Sequence, residues 1–297
     1  MIMLSITLFD PFAIPSGPYA GALRYSAGGA VNWYFASTAL LNAPSLPLAQ
    51  TRSYLDAFIA HLDPYEGIAD VLPTAIGTYA PIAPDSEDAY ASTAISLAVR
   101  YYRETHDRGW FVQNVPALKQ MAYAKLMQSV KPNGLIPASR TDATGYLMDN
   151  VENLVALRTF AAALREVGDR AANYVASFVD PLEAAIADLY DPRAGLYRWS
   201  DSDPIGPLQP YPACIAQTFP TLAGLNAHRD TVRLRLRGCR FEISRDPHET
   251  LRYALFLQSF RNLSSRERLT LEHSRTYRAR EPDIITISLQ ARLAQSK

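Results

Sequence analysis

Residues 83–102 read APDSEDAYASTAISLAVRYY, and this run decides how the rest of the chain is read. Asp85, Glu87 and Asp88 crowd three carboxylates into four positions after Pro84, and no further acid follows until Glu104. Beyond them Tyr90, Ala94, Leu97 and Tyr101 recur at three- and four-residue spacing, which predicts a helix over 86–106 with one face buried. A helix start favours one or two acids, through capping and the macrodipole. Three so close together also repel one another, so at least one of them is expected to face something other than the helix. Asp85 and Asp88 have the spacing of a capping box, as do Asp149 and Glu152, and those pairs have a purely structural reading.

Working outward, the same plan recurs. Helices are predicted over 46–62, over 115–130 with Leu118, Met121, Ala122 and Leu126 inward, and over 150–167 with Val151, Leu154, Leu157, Ala161 and Leu164 inward. The last ends at Gly168, a helix stop. A fifth helical region, 170–190, is expected to kink or split at Asp180-Pro181, and a sixth helix covers 213–228. Every second link (63–85, 131–149, 191–212) is long and carries aromatics and acids, while those between are short. That alternation predicts a mainly α protein, an α/α toroid of stacked helical hairpins with its decorated loops at one end. The expected division is an irregular segment 1–45 with a short helix in VNWYFASTALLNA, a toroid body 46–228, and a basic segment 229–297 that packs on or closes the toroid. In that last segment TVRLRLRGCRFEI alternates apolar and polar residues and predicts a β contribution, followed by a capped helix at DPHETLRYALFLQSF and a final strand or helix end at DIITISLQARL.

The chain has 297 residues, 48% of them hydrophobic, and 29 basic against 29 acidic side chains. Zero net charge gives no electrostatic case for nucleic acid or an anionic membrane. The charge is divided, however: residues 229–297 hold 15 Lys and Arg against 8 Asp and Glu, so an acidic body faces a basic end. The apolar start MIMLSITLF has no basic leader and no run approaches a membrane span, so the expectation is a cytoplasmic product, or one exported with its signal lying outside this sequence. His61, His106, His228, His248 and His273 show no metal-ligand spacing, and no phosphate-cradling glycine loop is present, so no metal or cofactor is expected. Cys214 and Cys239 leave one bridge open, paired or not.

Two segments together resemble the six-hairpin glycosidase superfamily: PDSEDAYASTAISLAVRYYRETHD, an acidic cluster running into a helix that ends in an aromatic pair, and GYLMDNVENLVALRTF, an Asp-Asn pair opening the next inner helix. LYDPRAGLYRW is similar to a turn that recurs there after an outer helix. The likeness covers about 46–228. The acidic run is also similar to that of family-8 endoglucanases, whose Ser-Glu-Gly signature is absent here. The resemblance implies a glycoside hydrolase acting on a poly- or oligosaccharide through paired carboxylates, by inversion. Asp88 is then the acid or sugar-positioning group and Asp149 the base across from it, with Asp85 and Glu87 as further catalytic candidates. Tyr90, Tyr146, Trp199, Asn150, Tyr79 and Asp142 are the candidate substrate contacts, since aromatic faces suit sugar rings. Two alternatives stand beside it. One is a non-catalytic carbohydrate-binding or scaffold toroid. The other is a terpene-cyclase-like toroid, because DSEDAY resembles the Asp-x-Asp-Asp motif of class II terpene cyclases, with Glu in place of the middle Asp and no Gln-Trp repeats.

Overall fold

The computed structural model describes residues 8–65, 67–75, 78–84, 86–203, 205, 207–280 and 282–295. Twelve α-helices appear among them: α1 (Trp33–Asn42), α2 (Leu48–Ala60), α3 (Glu87–Thr105), α4 (Arg108–Met121), α5 (Leu147–Val167), α6 (Ala172–Ala176), α7 (Val179–Ala187), α8 (Thr218–Leu222), α9 (Arg229–Leu236), α10 (Pro247–Gln258), α11 (Ser265–Thr276) and α12 (Ile284–Gln295). Two short antiparallel hairpins complete the set, β1 (Asp70–Ala75) with β2 (Thr78–Ile82), and β3 (Tyr190–Asp191) with β4 (Leu196–Tyr197).

The packing closes a ring. Helix α1 packs on α3, α3 on α5, α5 on α8, α8 on α10, α10 on α12, and α12 returns to α1. These six alternate along the chain with α2, α4, the α6–α7 pair, α9 and α11, which lie outside. The result is the α/α toroid that the alternating links predict. Its inner helices carry the core. Tyr90, Ala94, Leu97 and Tyr101 of α3 are all buried, as are Val151, Leu154, Leu157, Ala161 and Leu164 of α5. Helix α5 stops where expected, with Gly168 at φ 79° in the left-handed region that glycine enters without strain. The fifth region splits into α6 and α7 just before Asp180.

The ring takes in α1 from the segment 1–45, and α10 and α12 from the segment 229–297. Here the structure departs from the alternation-based expectation. No strand occurs after Tyr197 among the described residues, and TVRLRLR lies within and just beyond α9. The reason is that Val232 and Leu236, four apart, are buried while Leu234 between them is 57% exposed. A period of two contains a period of four, and burial selects the helix. DIITISLQARL is likewise helical, with Ile284, Ile285 and Leu289 buried in α12. Cys214, which precedes α8, is bonded to Cys239, which follows α9, so a disulfide ties the inner wall to the outer layer.

Buried polar clamps set the orientation of the inner helices. Asp70 of β1 accepts hydrogen bonds from the Trp33 amide (3.1 Å), Asn32 Nδ2 (2.6 Å) and Tyr90 Oη (2.7 Å), which fixes the starts of α1 and α3 against the first hairpin. Asn150 holds both polar atoms of Ile136, accepting from its amide (2.7 Å) and donating to its carbonyl (2.9 Å). Asp201 accepts from Lys131 Nζ (2.5 Å), Asn133 Nδ2 (2.7 Å) and the Gly145 amide (3.0 Å), and so staples the long loops together.

Candidate functional site

The N-terminal ends of the six inner helices meet at one mouth. There the walls enclose a cavity of about 600 Å³, and each inner helix supplies residues to it from its start or the turn leading into it. Tyr34 and Phe35 come from α1, Ser86 and Ala89 from α3, Met148 and Asp149 from α5, Phe219 from α8, Glu249 and Arg252 from α10, and Ile285 from α12. Loop residues Asp142, Tyr146, Trp199 and Tyr211 complete the wall.

Tyr146 and Trp199 stand parallel, with ring centroids 5.8 Å apart and planes at 11°. Backbone pairing sets that geometry: the Leu147 amide donates to the Trp199 carbonyl (2.9 Å), and the Asp201 amide to the Gly145 carbonyl (3.1 Å). Asp142 accepts from Tyr146 Oη (3.1 Å) and fixes the phenol at the mouth. Hydrogen bonds from Thr144, with help from Tyr146 and the Lys131 charge, hold the Asp142 carboxyl below the usual carboxylate range.

The acids are arranged differently from the expected opposed pair. Asp149 faces the cavity, whereas Asp88 is 1% exposed and does not line it. They are not across from one another but joined by Ser86, whose Oγ is 2.8 Å from Asp88 Oδ1 and 2.9 Å from Asp149 Oδ2. Asp88 also accepts from the Ala89 amide (2.8 Å) and from Asn153 Nδ2 (2.7 Å). Ser86 has one hydroxyl hydrogen and can donate to one carboxyl only. The second contact is a hydrogen bond only when a carboxyl supplies the proton, so the trio is built to hold one. Burial first, and then the Asp149 charge, push Asp88 well above the ordinary carboxylate range.

The Asp149–Glu152 capping box does not form, and Asp85 of the other pair lies outside the described residues. Ser86 is the N-cap of α3 and Tyr146 that of α5, each without a side-chain cap bond, so Asp149 is the third residue of its helix. Residues three apart share a face inside a helix as well as at its start, and that ambiguity hid Glu152. Glu152 lies one turn beyond Asp149 and accepts from Tyr34 Oη (3.2 Å), while its Oε2 is buried without a partner. Desolvation raises its pKa to about 8, with Arg252 opposing and Asp149 adding to the rise.

Of the residues singled out by sequence, Asp149, Asp142, Tyr146 and Trp199 line the cavity, and Asp88 stands directly behind it. Others do not reach it. Glu87 pairs with the buried Lys125 at 2.8 Å, on the far side of α3's first turn. Tyr90 is 2% exposed and belongs to the Asp70 clamp, and Asn150 is the Ile136 clamp. Tyr79 lies on β2, edge-on to Tyr19 and accepting from Arg24. Asp85 lies outside the described residues. Sequence reasoning missed Ser86, Tyr34, Glu249 and Arg252. An acid in the first turn of an inner helix is the signal that found Asp149, and it finds Glu249 equally once α10 is recognised as inner. Among the described residues no group of three or more His, Cys, Asp or Glu is placed to hold a metal ion. No described helix is long and apolar enough to cross a membrane.

No family model matches the chain, and no curated protein matches it. Solved structures do. A rhamnosidase from Klebsiella oxytoca, with rhamnose bound, superimposes with a TM-score of 0.54 at 12% identity over 76% of this chain and 45% of its own. The ent-copalyl diphosphate synthase from Streptomyces platensis gives 0.52 at 16% identity over 88% of this chain and 48% of its own. The chain thus spans about half the length of the structures it resembles. At these identities the likeness is one of fold, and it agrees with the superfamily-level resemblance read from the sequence.

Proposed function

We propose that this chain is a glycoside hydrolase acting on a poly- or oligosaccharide, with Asp149 and Glu249 as the carboxyls that meet the substrate. The observation that carries this reading is one cavity flanked by both acids, on non-adjacent inner helices, and walled by the parallel Tyr146–Trp199 pair. Hydrolysis needs one carboxyl with a proton for the leaving oxygen and another, ionised, to take a proton from water. The Asp88–Ser86–Asp149 trio suits the first task. Its proton rests on the enclosed Asp88, which burial and the Asp149 charge keep protonated, and passes through the Ser86 hydroxyl to Asp149, which presents it to the cavity. Asp149 is accordingly the acid, and Glu249 is the base that activates water. The two acids stand on helices two positions apart in the ring, and the inverting reaction is the one that the resemblance to six-hairpin glycosidases implies. The disulfide supports an exported product, since such bridges persist in oxidising compartments.

A terpene-cyclase-like activity is the second reading, favoured by the copalyl diphosphate synthase fold match and the DSED run. Against it, Asp88, which aligns with the last Asp of that motif, is enclosed and does not line the cavity. The test is to incubate the protein with glucans, uronides and bacterial exopolysaccharides and to follow new reducing ends. Cleavage of one of them is the expected result. Binding without cleavage would favour a carbohydrate-binding scaffold, and neither binding nor cleavage would defeat the reading.

A further inference from the structure

Arg252 projects from the second turn of α10 into the cavity wall. It is half-buried, yet among the described residues its guanidinium makes no hydrogen bond or ion pair. Its close neighbour is the Phe219 ring, with the guanidinium carbon 5.0 Å from the centroid. An arginine withdrawn from water is ordinarily paired with a carboxylate, because its five N–H donors and its charge otherwise go unmet. Two acids lie nearby: Glu152, whose raised pKa of about 8 keeps it largely neutral at neutral pH, and Glu249, three residues earlier on α10 in the same wall, with which Arg252 forms no ion pair among the described residues. Arg292 of α12 stands behind, close enough for the Arg252 charge to act on it, and donates to Asn42 Oδ1 at 2.6 Å. The α10 side of the cavity thus carries Arg252 beside Glu249, while Asp149 faces it from α5 with Asp88 behind.

We infer that Arg252 is a specificity residue that receives the carboxylate of a uronic acid unit, so that the substrates are acidic saccharides. This rests on the saccharide reading above and adds the substrate class to it. The planar guanidinium fork matches a carboxylate with two parallel hydrogen bonds, and the Phe219 face beneath holds the fork in one plane. A diphosphate would call for further cations. Among the described residues no lysine lines the cavity, and His248 on its wall is engaged with Asp283 at 2.9 Å. A single negative charge is what this wall can meet.

The test is binding, read by saturation-transfer NMR and by fluorescence of Trp199 in the cavity wall. The probes are glucuronate and galacturonate, their methyl esters, and glucose and galactose. Hydrogen bonds to charged groups convert to an affinity ratio of about 10- to 100-fold, so each uronate is expected to bind tighter than its ester by that factor. Arg252→Gln is expected to erase the difference between acid and ester, and Arg252→Lys to retain part of it. Equal affinity for acid and ester, or a preference that survives Arg252→Gln, overturns the inference while the saccharide reading stands. No binding of any of the six probes overturns both.

Discussion

Replacing Glu152 with glutamine is expected to make the protein's stability less sensitive to pH, by an amount the structure specifies. Desolvation lifts the Glu152 pKa from an ordinary 4.5 to about 8. The folded state then binds this proton more tightly than the unfolded chain does. Stability is fully present below pH 4.5, falls as pH rises through the interval up to about 8, and levels off above it. The slope is about 1.4 kcal/mol per pH unit, so Glu152 costs about 3 kcal/mol at pH 7 relative to acid. The glutamine of the Glu152→Gln variant has no such titration. Its amide nitrogen does fall where Glu152 Oε2 has no partner, a pH-independent cost of about 1–3 kcal/mol. The test therefore lies in the slope and not in the offset. For a chain of this length about 2 °C of Tm corresponds to 1 kcal/mol. Between pH 4.5 and 7 the Tm of Glu152→Gln should gain roughly 6 °C on the wild type. Thermal unfolding followed by circular dichroism across that range measures it. Two Tm profiles that run parallel would refute the assignment of Glu152 as a neutral, desolvated acid.

Three further outcomes follow from named contacts. Asp88→Asn removes the carboxyl on which the shared proton rests, so on a cleaved substrate the basic limb of the kcat/KM profile should move to lower pH. An unmoved limb would show that Asp88 does not act on Asp149. Glu87→Gln leaves Lys125 buried without its 2.8 Å partner and should cost about 3 kcal/mol or more in urea unfolding, with activity intact; lost activity in a folded variant would return Glu87 to the catalytic set. Reducing the Cys214–Cys239 bridge opens a closed loop of 25-residue separation and should lower stability by about 3.5 kcal/mol, measured as a fall in Tm with reductant.

The toroid was legible because α3, α4 and α5 repeat their buried residues at helical spacing and because the long links fall at every second connection. The closure of the ring was not legible. Helix α1 is short and sits among glycines, prolines and serines, and the Val232–Leu236 face of α9 lies inside an alternating string. Recognition of Asp149 needed only its place in the first turn of an inner helix. The fate of Asp88 needed the neighbouring helix: its charge is visible in the sequence, but its enclosure comes from Asn153 and Ser86 closing over it. Glu87 and Tyr90 were misplaced for a related reason. Consecutive helical positions point about 100° apart, so of a four-residue acidic run only some members can turn toward one cavity. Arg252 and Glu249 lie far along the chain from the other site residues, and only the returned packing of α10 brings them to the same mouth.

The measurement that bears most directly on the paired-carboxylate cavity is the release of reducing ends by the wild type, Asp149→Asn and Glu249→Gln on one saccharide, with Tm recorded for each. Both side chains face the cavity, so both variants should melt within about 2 °C of the wild type. Each should lose at least about 100-fold in rate, the usual scale for removing a general acid or base. A variant that keeps its fold and cleaves at the wild-type rate would contradict the account.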